Sequence, residues 1–132
     1  AISLTPREQS LLYCELEYLL NTALSSFLRL QFSYGLVSAA KLARVAAAWS
    51  SRGRPPVPSF HYDIETQVEL VLLHVGTFRF FGLEQDERRV RAALESMRAS
   101  ARGMSVRTMA QLDVIVRRHV LDARRVVEVM GA

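Results

Sequence analysis

Residues 63–82, Asp63 to Gly82, constrain the fold of this chain more than any other stretch, because from Val68 onward they are apolar on nearly every side. A segment without a polar face must be enclosed by other elements. Two conformations fit it. As a helix over 64–81 it has Asp63 as N-cap, Glu65 in the first turn and Gly82 as its stop, with Ile64, Val68, Val71, Val75 and Phe78 on one face. As a hairpin it has strands at 68–75 and 78–81 joined by Gly76 and Thr77, a reading that its β-branched and aromatic residues favour locally. The caps and length agree with the helix, and Leu70, Leu73, Phe80 and Phe81 would then be covered by neighbouring helices.

Around this stretch the sequence predicts four more helices. Thr5-Pro6-Arg7-Glu8 is a capping box with proline at the first helical position, opening a helix over 6–31. Its apolar arc is wide, from Leu12 and Leu16 to Phe27 and Leu30, while Glu8, Glu15, Thr22, Ser26 and Arg29 mark a wet side. Residues 36–50 form a second, alanine-rich helix that allows close approach, with Lys41 and Arg44 facing solvent. Residues 85–101 form a helix with a narrow stripe of Val90, Ala93, Leu94, Met97 and Ala101, in which Glu84–Arg88 and Glu87–Arg91 are favourable i,i+4 pairs. Gly103 is expected to end it and Ser105 to cap a last helix over 106–130, whose apolar arc has His119 in its middle. The expected fold is therefore an all-α bundle of about five helices around a buried central helix.

Residues 51–60, SRGRPPVPSF, are the one linker in this single domain. Three prolines and a glycine rule out a helix and favour an extended path. Arg52, Pro55 and Pro58 match a short basic and proline pattern that SH3-type grooves accept, although a stiff crossover between helices explains the same residues.

Size and composition fit a self-sufficient globular domain of 132 residues, half of them apolar and 23% charged. The longest uncharged runs, 18–28 and 30–40, fall well short of the roughly 20 residues that span a bilayer. No basic and apolar leader pattern is visible. The lone Cys14, between Tyr13 and Glu15 and close to Leu12 and Leu16, is read as a small packed hydrophobe in a reducing compartment, so an intracellular location, cytoplasmic or nuclear, is expected. The chain opens on Ala1 rather than Met, which suggests a domain excised from a longer protein.

Catalytic and cofactor chemistry find no support in these residues. His61, His74 and His119 have no metal-ligand spacing, the six glycines build no phosphate-cradling loop, and no nucleophile motif appears. His74 and His119 are expected to be satisfied core histidines. No cofactor, metal, small-molecule substrate or enzymatic activity is expected.

Binding remains, in two forms. The first is a protein-interaction or assembly domain that holds a partner protein or a second copy through a helical surface, with Trp49, Arg54, Val57 and Phe60 around the linker as contacts. Trp49 also has a plain reading as a core anchor. Val114, Leu121 and Val129 lie outside the main apolar arc of the last helix and suggest that it is covered from two directions. The second form is nucleic-acid binding, for which net charge +4 and Arg107, Gln111, Arg117, Arg118, Arg124 and Arg125 are the grounds. A helix-turn-helix over 90–120 would place a recognition helix from Val106. Against it, the basic footprint is thin, at net +1 for 84–102 and +2 for the remainder, and the last helix has no aromatic residue on which a base could stack.

Overall fold

A computed structural model describes residues 4–81, 86–107 and 111–131. Among them are five helices and no strand: α1 (Pro6–Ser33), α2 (Ala39–Ser51), α3 (Ile64–Leu72), α4 (Glu87–Ser105) and α5 (Asp113–Val129). α1 packs on α3 and α5, and α4 also packs on α3 and α5, so these four close a ring. The ring encloses Leu24, Leu28, Leu70, Leu94, Met97 and Val126, all fully buried. α2 stands outside the ring and packs chiefly on α3.

The starts of the helices follow local chemistry. Thr5 accepts from the Glu8 amide while the Glu8 carboxylate accepts from the Thr5 amide, which completes the capping box. Ser38 and Asp63 cap α2 and α3 in the same way through the amides of Lys41 and Thr66. The wet side of α1 is exposed as expected, and Glu87 meets Arg91 at 3.5 Å. The Glu84–Arg88 pair and the Gly82 stop fall outside the described residues.

The ends depart from expectation. α3 stops at Leu72, nine residues before the predicted end at 81, and the cause is the His74 side chain. Its Nδ1–H donates to the Leu70 carbonyl (2.8 Å), the group that the His74 amide would meet in a continued α-helix, and the amide turns to Val71 instead (3.0 Å). The Lys41 ammonium, expected to face solvent, then donates to the Leu73 carbonyl at 2.8 Å and closes the helix end. Beyond the turns the chain runs extended, with Phe78 and Phe80 packed on Phe27 of α1 and Arg79 between them exposed. The apolar stretch is thus a short helix, a turn through Gly76 and an extended connector. Neither the full helix nor the hairpin describes it.

Gly103 does not end α4. The helix runs through it, and a β-carbon there would lie 3.3 Å from His119 Nε2, so this glycine marks a close crossing of α4 and α5. Ser105 is the last residue of α4 and its hydroxyl donates to the Arg102 carbonyl, so it does not cap the next helix. α5 begins at Asp113 after Leu112, seven residues later than expected. Val106 and Arg107 are therefore not helical, and the helix-turn-helix geometry that required a recognition helix from Val106 is absent.

Candidate partner groove

α2 presents its small-residue side to the proline-rich linker, which folds back beside it as a strap. Between them lies a half-open groove of about 610 Å³, lined by Leu42, Ala46, Trp49, Val57, Phe60 and Tyr62 among others, nearly all apolar. Alanines make it, since a larger residue at Ala46 or Ala47 would fill the space. The prolines keep it open by holding the strap extended. Trp49 is the fixed wall. It is buried, its Nε1–H donates to the Pro55 carbonyl at 2.8 Å, and its ring meets Tyr62 edge-on at 5.1 Å.

The strap ends in a turn that no residue of its type favours. Ser59 and Phe60 have φ of 49° and 64°, consecutive left-handed residues without a glycine between them. That conformation costs roughly 1–2 kcal/mol per residue and persists only where neighbours enforce it. Here Gln67, fully buried on α3, donates its amide to the Phe60 carbonyl at 2.7 Å, and the Phe60 ring leans on Phe32 of α1. The Gln67 Oε1 has no hydrogen-bond partner, so the clamp holds the strap with only one of its two ends satisfied.

Arginine surrounds Trp49. The guanidinium carbons of Arg54 and Arg52 lie over its ring at 4.4 and 5.5 Å. These two arginines also line an adjoining polar cleft of about 480 Å³ with Glu17, Asp63, Glu65 and Arg107. In that cleft charges are paired: Arg54 with Asp63 (2.7 Å), Arg107 with Glu17 (2.7 Å) and Arg102 with Glu65. Thr66 and Arg54 hold the Asp63 carboxyl below the usual aspartate range, against a burial effect that would raise it. Arg52 has no carboxylate partner among the described residues. Its Nε donates only to the Ala48 carbonyl of its own helix end.

Of the residues singled out from sequence, Trp49, Val57 and Phe60 are brought together in the groove and Arg54 stands at its margin. Val114 and Leu121 lie on the outer side of α5, exposed at 70% and 43%, away from the groove. Val129 is not available to any partner. It is 1% exposed because the connector crosses it, with the Phe81 amide donating to the Val129 carbonyl at 2.9 Å. Arg117, Arg118, Arg124 and Arg125 are exposed, and Arg124 pairs with Glu128. Arg107 is already engaged through its side chain, and Gln111 through its backbone. Arg107 bonds Glu17 and the Met104 carbonyl and lies 4.5 Å over the Tyr13 ring, while the Gln111 backbone is paired with Gln9. Cys14, expected to be packed, is exposed, because the helical turn that buries Tyr13 carries Cys14 about 100° round α1.

The buried polar groups are where sequence reasoning was weakest. Asp122 is 4% exposed and accepts from the hydroxyls of Ser96 (2.9 Å) and Ser100 (2.5 Å) on α4. The i,i+4 serines on the α4 face were the available signal. Beside it, His119 Nδ1 and the Tyr13 hydroxyl share a hydrogen bond of 2.7 Å. Burial pushes the Tyr13 phenol up and the His119 imidazole down, the latter helped by Arg107 and Arg118 and opposed by Asp122. His74 is likewise pushed down by burial and by Lys41, against its bond to Leu70. Its Nε2 accepts from the Ser38 amide at 2.9 Å, which fixes the neutral Nδ1–H tautomer. Both histidines are satisfied core residues, as their apolar surroundings suggested.

Among the described residues no group of three His, Cys, Asp or Glu could hold a metal ion, and no helix is long and apolar enough to cross a membrane. Comparison with protein-family models, with curated proteins and with solved structures finds no match.

Proposed function

We propose that this chain is a non-enzymatic protein-interaction domain that holds a segment of a partner protein in the groove between α2 and the proline strap. The observation that carries this reading is the groove itself: apolar, open along one side, and walled by a tryptophan that its own hydrogen bond holds still. Open apolar surface flanked by arginine, with tryptophan and tyrosine at its edge, has the composition of interface cores. Strap prolines reduce the ordering that a partner would have to impose, which supports affinity through preorganisation. The buried Asp122, His119, Tyr13 and His74 are engaged within the fold and offer a substrate no converging set of reactive side chains.

Nucleic-acid binding is the second reading, favoured by the exposed Arg117, Arg118, Arg124 and Arg125 on α5. It is weakened by the internal engagement of the Arg107 side chain.

Site-specific photo-crosslinking in the cells that make this protein separates the two. A benzophenone amino acid replaces Val57 in the groove or Leu121 on α5. Discrete protease-sensitive products from position 57, and none from 121, are expected. A product from position 121 that nuclease trims would transfer the reading to nucleic acid, and no product from either position would overturn both.

A further inference from the structure

We infer that the occupant of the groove is an acidic amphipathic helix of another protein, seated with its apolar ridge against α2 and a carboxylate on Arg52. This rests on the groove reading above and adds the chemistry of the partner. Between Glu17 and Asp63 the sequence has five basic residues, Arg29, Lys41, Arg44, Arg52 and Arg54, and no Asp or Glu. Every element that forms the groove belongs to this acid-free run. The acids that could neutralise it lie on α1, α3 and the strap's end, where Asp63, Glu65 and Glu17 are already bonded to Arg54, Arg102 and Arg107. Arg52 is left at the junction of apolar groove and polar cleft, stacked on the groove's tryptophan, with its carboxylate-binding capacity unspent.

A second copy of this chain is a poor occupant by the same count. An isologous contact places a surface patch on its own copy, and here that would set Arg52 and its acid-free surroundings against themselves without a carboxylate from either side. Single-stranded nucleic acid would bring the right charge, but it binds by stacking bases on open aromatic faces. Trp49 and Tyr62 are both buried and packed on each other, and the Trp49 ring carries two guanidinium groups. The partner must therefore bring aliphatic side chains and carboxylates together. An amphipathic helix does so at i, i+3, i+4 and i+7. Arginine rather than lysine at the junction suits a planar two-oxygen acceptor.

Trp49 is the only tryptophan, so its emission reports groove occupancy directly. The probes are three synthetic helical peptides of about four turns that share one leucine ridge and carry Glu, Gln or Lys at the polar positions. They are titrated into the intact chain alongside phosphatidylserine vesicles and an oligothymidylate. The Glu peptide should shift Trp49 emission and bind about tenfold tighter than the Lys peptide, the size of one charge-assisted contact. Arg52→Gln should remove that preference and Arg52→Glu reverse it, with the helical circular dichroism of both variants unchanged. Equal binding of all three peptides would overturn the acidic partner and leave the groove reading standing. A response only to vesicles or to oligothymidylate would also overturn it. If no peptide moves Trp49, both inferences fall.

Discussion

The closed ring of α1, α3, α4 and α5 and the outlying α2 with its strap are built on opposite terms. Within the ring, charged and polar side chains find partners across helices: Asp122 with two serines, His119 with Tyr13, Gln9 with the backbone of residue 111. Around α2 the helix surface is alanine, the neighbouring loop is proline, Arg52 has no carboxylate partner among the described residues, and two residues sit in a strained turn. The first arrangement resists change because removing any one of these groups leaves a partner across the fold unpaired. The second leaves volume and charge uncompensated, and such surplus is what another molecule can use. Dense internal pairing and open apolar volume thereby lie in different parts of a small chain, joined through α3.

The largest effect that would test this division comes from the ring. Asp122→Ala strands the buried Ser100 hydroxyl and the half-buried Ser96 hydroxyl, and urea denaturation should show a loss of about 2 kcal/mol. Arg54→Ala, which breaks an exposed pair beside the groove, should cost below about 1 kcal/mol. Equal losses would break the contrast.

Acid should weaken the molecule next. The folded state holds His74 and His119 neutral, with values depressed below the ordinary histidine value of about 6.5. Between that value and the depressed folded values the unfolded chain binds more protons, so folding stability falls as pH drops through this window. Above the window the contribution is fully present. The urea midpoint should therefore hold steady from alkaline pH to neutrality and decline toward pH 5. A flat profile over that range would mean that the imidazoles are not kept neutral by the fold.

The smallest effect has the opposite sign. Ser59→Gly relieves a left-handed residue in the strap and should stabilise the chain by roughly 0.5 kcal/mol, the relief of strain less the added freedom of the unfolded glycine. It would sharpen the contrast, since no single replacement in the ring is expected to improve stability by relaxing the backbone. A thermal shift to lower temperature would show that Ser59 is not strained.

What was legible in the sequence was local. Thr5, Pro6, Glu8 and Asp63 act on amides within a turn of themselves, so the starts of α1 and α3 could be read from spacing alone. The proline run likewise announces an extended strap, and the wide apolar arc of α1 announces more than one neighbour. The stops were not legible. α3 ends at Leu72 because His74 is bound both to Leu70 and to Ser38, and Ser38 lies 36 residues away in sequence. Gly103 reads as a terminator by type, and only the position of His119 turns it into a crossing point. The site was half legible. Apolar residues near prolines suggested the groove, but the free state of Arg52 follows from pairings made by Arg54, Arg102 and Arg107 across the fold. The burial of Asp122 is not legible for the same reason, since the serines that satisfy it stand on another helix.

The amide clamps of α1 bear on how this chain can vary in length. Gln9 pairs both ways with the backbone of Gln111, and Gln31 pairs both ways with that of Arg79, so one helix holds two non-helical connectors at fixed stations. The two stations are about 33 Å apart along the helix axis. Inserting or deleting one residue between them would turn one glutamine by about 100° relative to the other, and both connectors could no longer dock. α1 is therefore a ruler whose length is set to the residue, whereas the strap, held at its far end by one-way bonds from Gln67 to Phe60 and from Asn21 to Tyr62, is where insertions can be absorbed.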